Sequence, residues 1–139
     1  MTLSEVQRAY STCLGKLLER VNSTPRYACT LGEGWRTDVM AELNSLPLDI
    51  RHRVADAIQG LAPGLSHAIA VSTGMGIAHS VHRLRLAQDL NIFKDGQYTT
   101  NPEDYRPFGE WWKQQHPLAR WGGDFKDYDH FSFEYGGVK

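Results

Sequence analysis

His82 and Asp89 stand seven positions apart, and His130 follows on a distant segment. If these three side chains meet, their spacing restricts the fold more than any other feature of the chain. Two imidazoles and a carboxylate supply three corners of a tetrahedral metal site and leave the fourth open. Along a straight strand, at about 3.3 Å per residue, the Cα atoms of His82 and Asp89 fall roughly 23 Å apart and the side chains point to opposite faces. A helix puts both on one face, yet still roughly 10 Å apart along its axis. Ligand atoms sit about 2 Å from zinc, so neither regular element delivers both. The chain must therefore bend near His82, and the Gly-, Ser- and Thr-rich segment ending at Ser80 is where it bends most readily. Asp89 then lies on the strand proper and His130 arrives from a neighbouring strand. His79 offers the same group three residues before His82, and spacing alone does not separate the two. Asp124, Asp127 and Asp129 likewise crowd the approach to His130.

Around this constellation the local signals are clear. Thr2-Leu3-Ser4-Glu5 reads as a capping box, and Leu3, Val6, Tyr10, Leu14, Leu17, Leu18 and Val21 recur at helical spacing until Asn22 and Pro25 stop them. Residues 26–31 suit a short strand ended by Gly32 and Gly34. Thr37 caps a short helix carrying Val39, Met40 and Leu43, and a further helix runs over 49–59. No period dominates 64–81. From Leu84 to Phe93 the chain reads as strand, Asp95-Gly96 as a tight turn, and 97–99 as the returning strand. Asn101-Pro102-Glu103-Asp104 is a helix start with a cap, a first-turn proline and acids favoured by the helix dipole. Pro117 and Gly122-Gly123 mark a loop, and 130–134 alternates as a final strand. Helices and short antiparallel strands in mixed order predict an α+β fold.

A chain of 139 residues suits one domain able to bury a core, so residues 1–139 are expected to form a single domain with no separate module. The net charge of -1 supplies no basic field for nucleic acid or an anionic membrane. Charged residues interrupt any apolar stretch near the N-terminus, and no later run approaches a membrane span, so neither a signal peptide nor stable membrane association is expected. Cys13 and Cys29 match no metal pattern and read as small hydrophobes in a reducing compartment. Trp111, Trp112 and Trp121 read as core, and His116-Pro117 as the stop and shape of the loop behind the helix.

The linked motifs carry a specific likeness. Ser80, His82 and Asp89 fit the pattern S-x-H-x(6)-D, and Asp127 with His130 fits an acid followed after two residues by histidine. With Gly32-Glu33-Gly34-Trp35-Arg36-Thr37, the run from Arg85 to Gly96, the run from His116 to Gly123 and His130-Phe131-Ser132, the sequence resembles the zinc (LAS-type) metallopeptidases. That family includes D-alanyl-D-alanine carboxypeptidases and dipeptidases and the phage L-alanyl-D-glutamate endopeptidases, and the flanking text looks like the phage endolysin branch. The likeness runs over residues 26–139. It implies a Hedgehog/D,D-peptidase-like domain in which an antiparallel sheet cradles Zn2+ and helices pack around it.

The resemblance also implies roles. It prefers His82 over His79, because Ser80 precedes it in the pattern, and Asp127 over Asp129, because Asp127 lies three residues before His130. The ligands are then His82, Asp89 and His130. Asp127 is the general base and acid, Arg36 stabilises the developing oxyanion, and Ser80 hydrogen-bonds the substrate backbone. The implied substrate is the peptide stem of bacterial peptidoglycan, cut at the L-alanyl-D-glutamate bond during host lysis. The enzyme would be a monomer made in the host cytoplasm, reaching the wall after release. Rival readings are a D-alanyl-D-alanine carboxypeptidase or dipeptidase on the same site, and a non-catalytic zinc- or wall-binding module. Two positions depart from the pattern. Arg85 stands where other branches have glycine, and would narrow the cleft or pair with an acid. Asp129 adds a second carboxylate beside a ligand and reads as solvated.

Overall fold

The computed structural model describes residues 1–64, 66–67 and 80–139. Helix α1 (Leu3–Ser23) begins at the expected capping box: the Glu5 amide donates to Thr2 Oγ1 at 3.3 Å, and the Thr2 amide donates back to the Glu5 carboxylate at 2.7 Å. Its apolar stripe buries Val6, Tyr10, Cys13, Leu17 and Val21. Strand β1 (Tyr27–Leu31) follows, then α2 (Asp38–Ser45), capped by Thr37, and α3 (Leu48–Ile58).

A 3-10 turn over Val81–Leu84 leads into β2 (Ala87–Lys94), and β3 (Gln97–Tyr98) returns through Asp95-Gly96. Helix α4 (Pro102–Lys113) starts where Asn101 accepts a hydrogen bond from the Glu103 amide. Strand β4 (Ala119–Trp121), a second 3-10 turn over Gly122–Phe125, and β5 (His130–Phe133) complete the described chain.

The strands form one antiparallel sheet in the order β1-β2-β5-β4, with β3 paired to β2. Helices α1 and α4 cover the sheet through Tyr10, Leu17, Tyr105, Phe108 and Trp112, which meet Leu90, Ile92, Phe131 and Phe133 in one core. Trp112 and Trp121 are buried as expected, and Trp111 packs at the margin under Arg20. Cys13 and Cys29 are free thiols. His116 stacks on Phe133, and its Nδ1 accepts from the Leu118 amide. The architecture is α+β. No helix among the described residues is long and apolar enough to cross a membrane.

Two elements differ from the sequence reading. Strand β2 begins at Ala87 rather than Leu84, because Arg85 adopts a left-handed conformation (φ 56°) and closes the 3-10 turn. The stretch read as loop before Gly122 contains β4, whose three residues pair with Phe131, Ser132 and Phe133.

Candidate metal centre

The bend demanded by the His82–Asp89 spacing is the Val81–Leu84 turn. Ser80 caps it, its Oγ accepting from the His82 amide at 3.2 Å, and the Arg85 amide closes it by donating to the His82 carbonyl at 3.1 Å. Residues 68–79 of the Gly-rich segment expected to bend, His79 among them, lie outside the described residues. Asp89 follows on β2, directly opposite His130 in the antiparallel register with β5. Cross-strand partners hold their Cβ atoms about 4.5–5.5 Å apart, so the sheet itself brings these two side chains together.

Three ligand atoms converge. His82 Nε2 lies 3.1 Å from His130 Nδ1 and 3.4 Å from Asp89 Oδ1, and His130 Nδ1 lies 3.2 Å from Asp89 Oδ1. A tetrahedral ion with bonds of about 2.0–2.1 Å sets its ligand atoms roughly 3.3–3.4 Å apart. The observed triangle matches that within a few tenths of an ångström, so these residues can hold a metal ion. The His82 ring fits the role in its protonation as well. Its Nδ1 faces the Gly34 carbonyl at 2.5 Å, which requires the proton on Nδ1 and leaves the Nε2 lone pair for the site. His130 is buried, and its Nε2 has no hydrogen-bond partner among the described residues.

The electrostatics follow from the same contacts. Burial works to raise the Asp89 carboxyl, but hydrogen bonds and charge from His130 and His82 outweigh it and hold it down at about 2. Burial works to lower His82, yet the hydrogen bond and charge of Asp89, joined by the Gly34 carbonyl, raise it. In the absence of metal, a proton on His82 is thus favoured by the same carboxylate that would ligate a cation.

Asp127 is exposed at the end of the Gly122–Phe125 turn, and its amide donates to the Gly122 carbonyl at 2.8 Å. A Cβ at Gly122 would collide with the Asp127 carbonyl oxygen and crowd His130 Cβ, so only glycine lets this turn fold back onto the ligand strand. Asp129 is not solvated, contrary to the sequence reading. It is half-buried, and burial, the Asp89 charge and a hydrogen bond that its protonated form donates to the Asp127 side chain push it well above the ordinary carboxylate range. The sequence could not reveal this, because it depends on Asp127 and Asp129 turning toward each other across one residue.

Arg36 is gripped by Glu33 through both guanidinium Nε (2.9 Å) and Nη2, and it feels the charges of Asp89 and Asp127. Its side chain is only 14% exposed, against 40% for Glu33. The ion pair therefore presents Arg36 toward the acids of the site rather than into open solvent. The Glu33–Arg36 spacing of three was visible in the sequence; the partnership was overlooked. Arg85 is not paired with an acid among the described residues: its guanidinium lies over the exposed Trp35 ring, 5.2 Å from the centroid.

No family model matches the chain, and no curated protein matches it. Among solved structures, the fold is similar to a mutant of the vancomycin-resistance D,D-pentapeptidase VanY, from a VanB-type resistance cassette, determined in complex with Zn(II). The TM-score is 0.52 at 20% identity, and the match covers 89% of this chain and 70% of that one. At that identity the likeness establishes the fold.

Proposed function

We propose that the protein is a zinc-dependent peptidase acting on the peptide stem of bacterial peptidoglycan. The observation that carries the reading is the His82–Asp89–His130 triangle, with edges of 3.1–3.4 Å, on a fold similar to that of a zinc-bound D,D-peptidase. Zinc held there would supply Lewis-acid activation of the scissile carbonyl and of a water. Asp127 takes the proton of the attacking water and delivers it to the leaving amine. Arg36, held by Glu33, stabilises the developing oxyanion. Ser80 spends an oxygen lone pair on the His82 amide and keeps its hydroxyl proton for the substrate backbone.

The bond we favour is L-alanyl-D-glutamate, as in an endolysin of a phage. Support comes from the motif text around Asp89, Trp121 and His130, which resembles the phage endopeptidases. A second reading, cleavage of the terminal D-alanine, is supported by the D,D-pentapeptidase among the similar folds. Mass spectrometry of products from purified peptidoglycan separates them. New N-terminal D-glutamate (or its amidated form) with intact D-alanine termini is expected; free D-alanine with intact L-alanyl-D-glutamate bonds transfers the enzyme to the second reading. Chelator-resistant cleavage, or tight wall binding without cleavage, overturns the peptidase proposal.

A further inference from the structure

The two ligands on β2 and its preceding turn are framed by a stretch of backbone that carries no ligand. The Gly32 amide donates to the Asp89 carbonyl at 2.7 Å, and the Asp89 amide donates to the Glu33 carbonyl at 2.7 Å. The Gly34 carbonyl then receives His82 Nδ1, and the Arg36 amide donates to the His82 carbonyl at 3.4 Å. Residues 32–36 thus extend the edge of β1 past its last strand residue and hold both ligands from one side.

At the centre of this frame lies Gln88, buried at 8% exposure. Its Nε2 donates to the Gly32 carbonyl at 3.1 Å and to the Asp89 carbonyl at 2.9 Å. Both neighbours are carbonyl oxygens, so only the amide NH2 end satisfies them and the orientation of the side chain is fixed. The other end, Oε1, lies 2.6 Å from where a Cβ on Gly34 would stand. A larger residue at 34 must therefore push the Gln88 amide away from the Gly32 and Asp89 carbonyls that it joins. Gln88 and Gly34 fit as a lock: the glycine admits the amide, the amide ties the Gly32 peptide to the Asp89 peptide, and the tied loop presents the Gly34 carbonyl to His82.

We infer that Gln88 is a positioning residue for the metal centre, acting through the Gly32–Gly34 backbone to fix the orientation of Asp89 and the tautomer of His82. The inference rests on the metal reading proposed above. Groups that orient metal ligands from behind change affinity by about 10–100-fold when removed.

The test uses Gln88→Met, which keeps length and bulk but removes both donors, and Gly34→Ala, which attacks the same contact from the loop. Zn(II) affinity is measured by competition with a chromogenic chelator, and the visible spectrum is recorded on the Co(II)-loaded proteins. Gln88→Met is expected to bind Zn(II) about 10–100-fold more weakly and to alter the Co(II) bands, with circular dichroism unchanged. Gly34→Ala is expected to weaken binding in the wild-type background and to add less in the Gln88→Met background, because the hydrogen bonds that its Cβ would disrupt are already absent there. Affinity of Gln88→Met within about twofold of wild type, with the same Co(II) spectrum, overturns the role of Gln88 while leaving the metal reading intact. Wild-type protein that fails to bind Zn(II) overturns both. Loss of fold in both variants assigns Gln88 to stability and overturns its assignment to the metal.

Discussion

The two histidines of the site are positioned by opposite means. His130 sits on β5, where all four residues are buried and Phe131 and Phe133 anchor the strand among Tyr10, Trp112 and the sheet. Its place is a by-product of core packing: once the strand is in register, Asp89 stands opposite it. His82 sits on a 3-10 turn that Val81 seats in the core, and its ring Nδ1 and its carbonyl are fixed by hydrogen bonds with the Gly34 carbonyl and the Arg36 amide, beside the exposed Trp35 and Arg85. Hydrophobic burial is non-directional and forgiving of detail, whereas a hydrogen bond fixes one atom against another. The packed side gives the site its permanence, and the polar side gives it its protonation state.

The largest expected effect falls on chemistry alone. Asp127 is exposed and outside the ligand triangle, so Asp127→Asn should retain the fold and the metal yet lose turnover by about 10²–10⁴-fold, the range for general acid–base catalysis. Steady-state rates on purified peptidoglycan, with metal content measured on the same sample, check this. A rate near wild type removes Asp127 from the role and turns attention to Asp129, its hydrogen-bonded neighbour.

Next comes a pair of substitutions that tests the division between the two sides. Phe131 is fully buried against Trp112, and Phe131→Ala should cost about 3–5 kcal/mol of stability through lost burial and a residual cavity. Metal binding should fall only as the fold is lost. His82→Gln should do the reverse, abolishing metal binding while denaturant unfolding of the metal-free protein shifts by about 1 kcal/mol, the worth of one hydrogen bond. Equal stability losses in the two variants would show that the turn is as integral to the core as β5, and the contrast drawn above would fall.

How much of this was legible beforehand follows the same division. The capping box at Thr2, the stripe from Val6 to Val21, the Asp95-Gly96 turn and the Asn101 cap are local signals, and each element formed where they point. Strand β4 was not legible, since three residues are too short to display a period and its stability comes from pairing with β5. The start of β2 was misplaced because a left-handed arginine at 85 leaves no compositional mark. The ligand spacing required a bend but could not say what holds it. The Gly32–Gly34 frame works through amides and carbonyls, which every residue possesses, so no side-chain pattern announces it.

A smaller effect separates acid-side stability from the site. The Asp104 carboxylate, in the first turn of α4, accepts from Lys94 Nζ at 2.6 Å, Thr99 Oγ1 at 2.8 Å and the Tyr27 hydroxyl at 3.1 Å, tying the helix to β1, β2 and the end of β3. These bonds, that of Lys94 foremost, hold its carboxyl below the ordinary range. The depressed value means that the folded state binds the proton less readily than the unfolded chain. The stabilisation is therefore fully present above the unfolded value of about 3.9 and is lost as pH falls through the lower folded value. Asp104→Asn should lower the melting temperature at neutral pH by about 3–6 °C and flatten the loss of stability on acidification below about pH 4. An unchanged acid slope would transfer that slope to Asp89, whose carboxyl is also depressed, and would make the polar side, not the helix junction, the acid-sensitive part.

The smallest effect belongs to the Arg26–Asp95 pair, the more exposed counterpart of these part-buried contacts. The guanidinium meets the carboxylate through Nε at 2.8 Å and Nη2 at 2.6 Å, yet the two side chains are 64% and 53% exposed. Water screens such a pair, and holding two long side chains in one geometry costs entropy, so its ideal appearance converts to little stability. Arg26 also sits at φ 74°, a left-handed conformation that a side chain resists and glycine accepts. Arg26→Ala loses the pair and keeps the strain; Arg26→Gly loses the pair and relieves it. Thermal melts should place both variants within about 3 °C of wild type, with Arg26→Gly at or above Arg26→Ala. A larger loss in both would mean that the pair locks the β1–β2 edge from which the Gly32–Gly34 frame extends. Hydrogen bonding at a distance would then govern the His82 side as firmly as packing governs the side of His130.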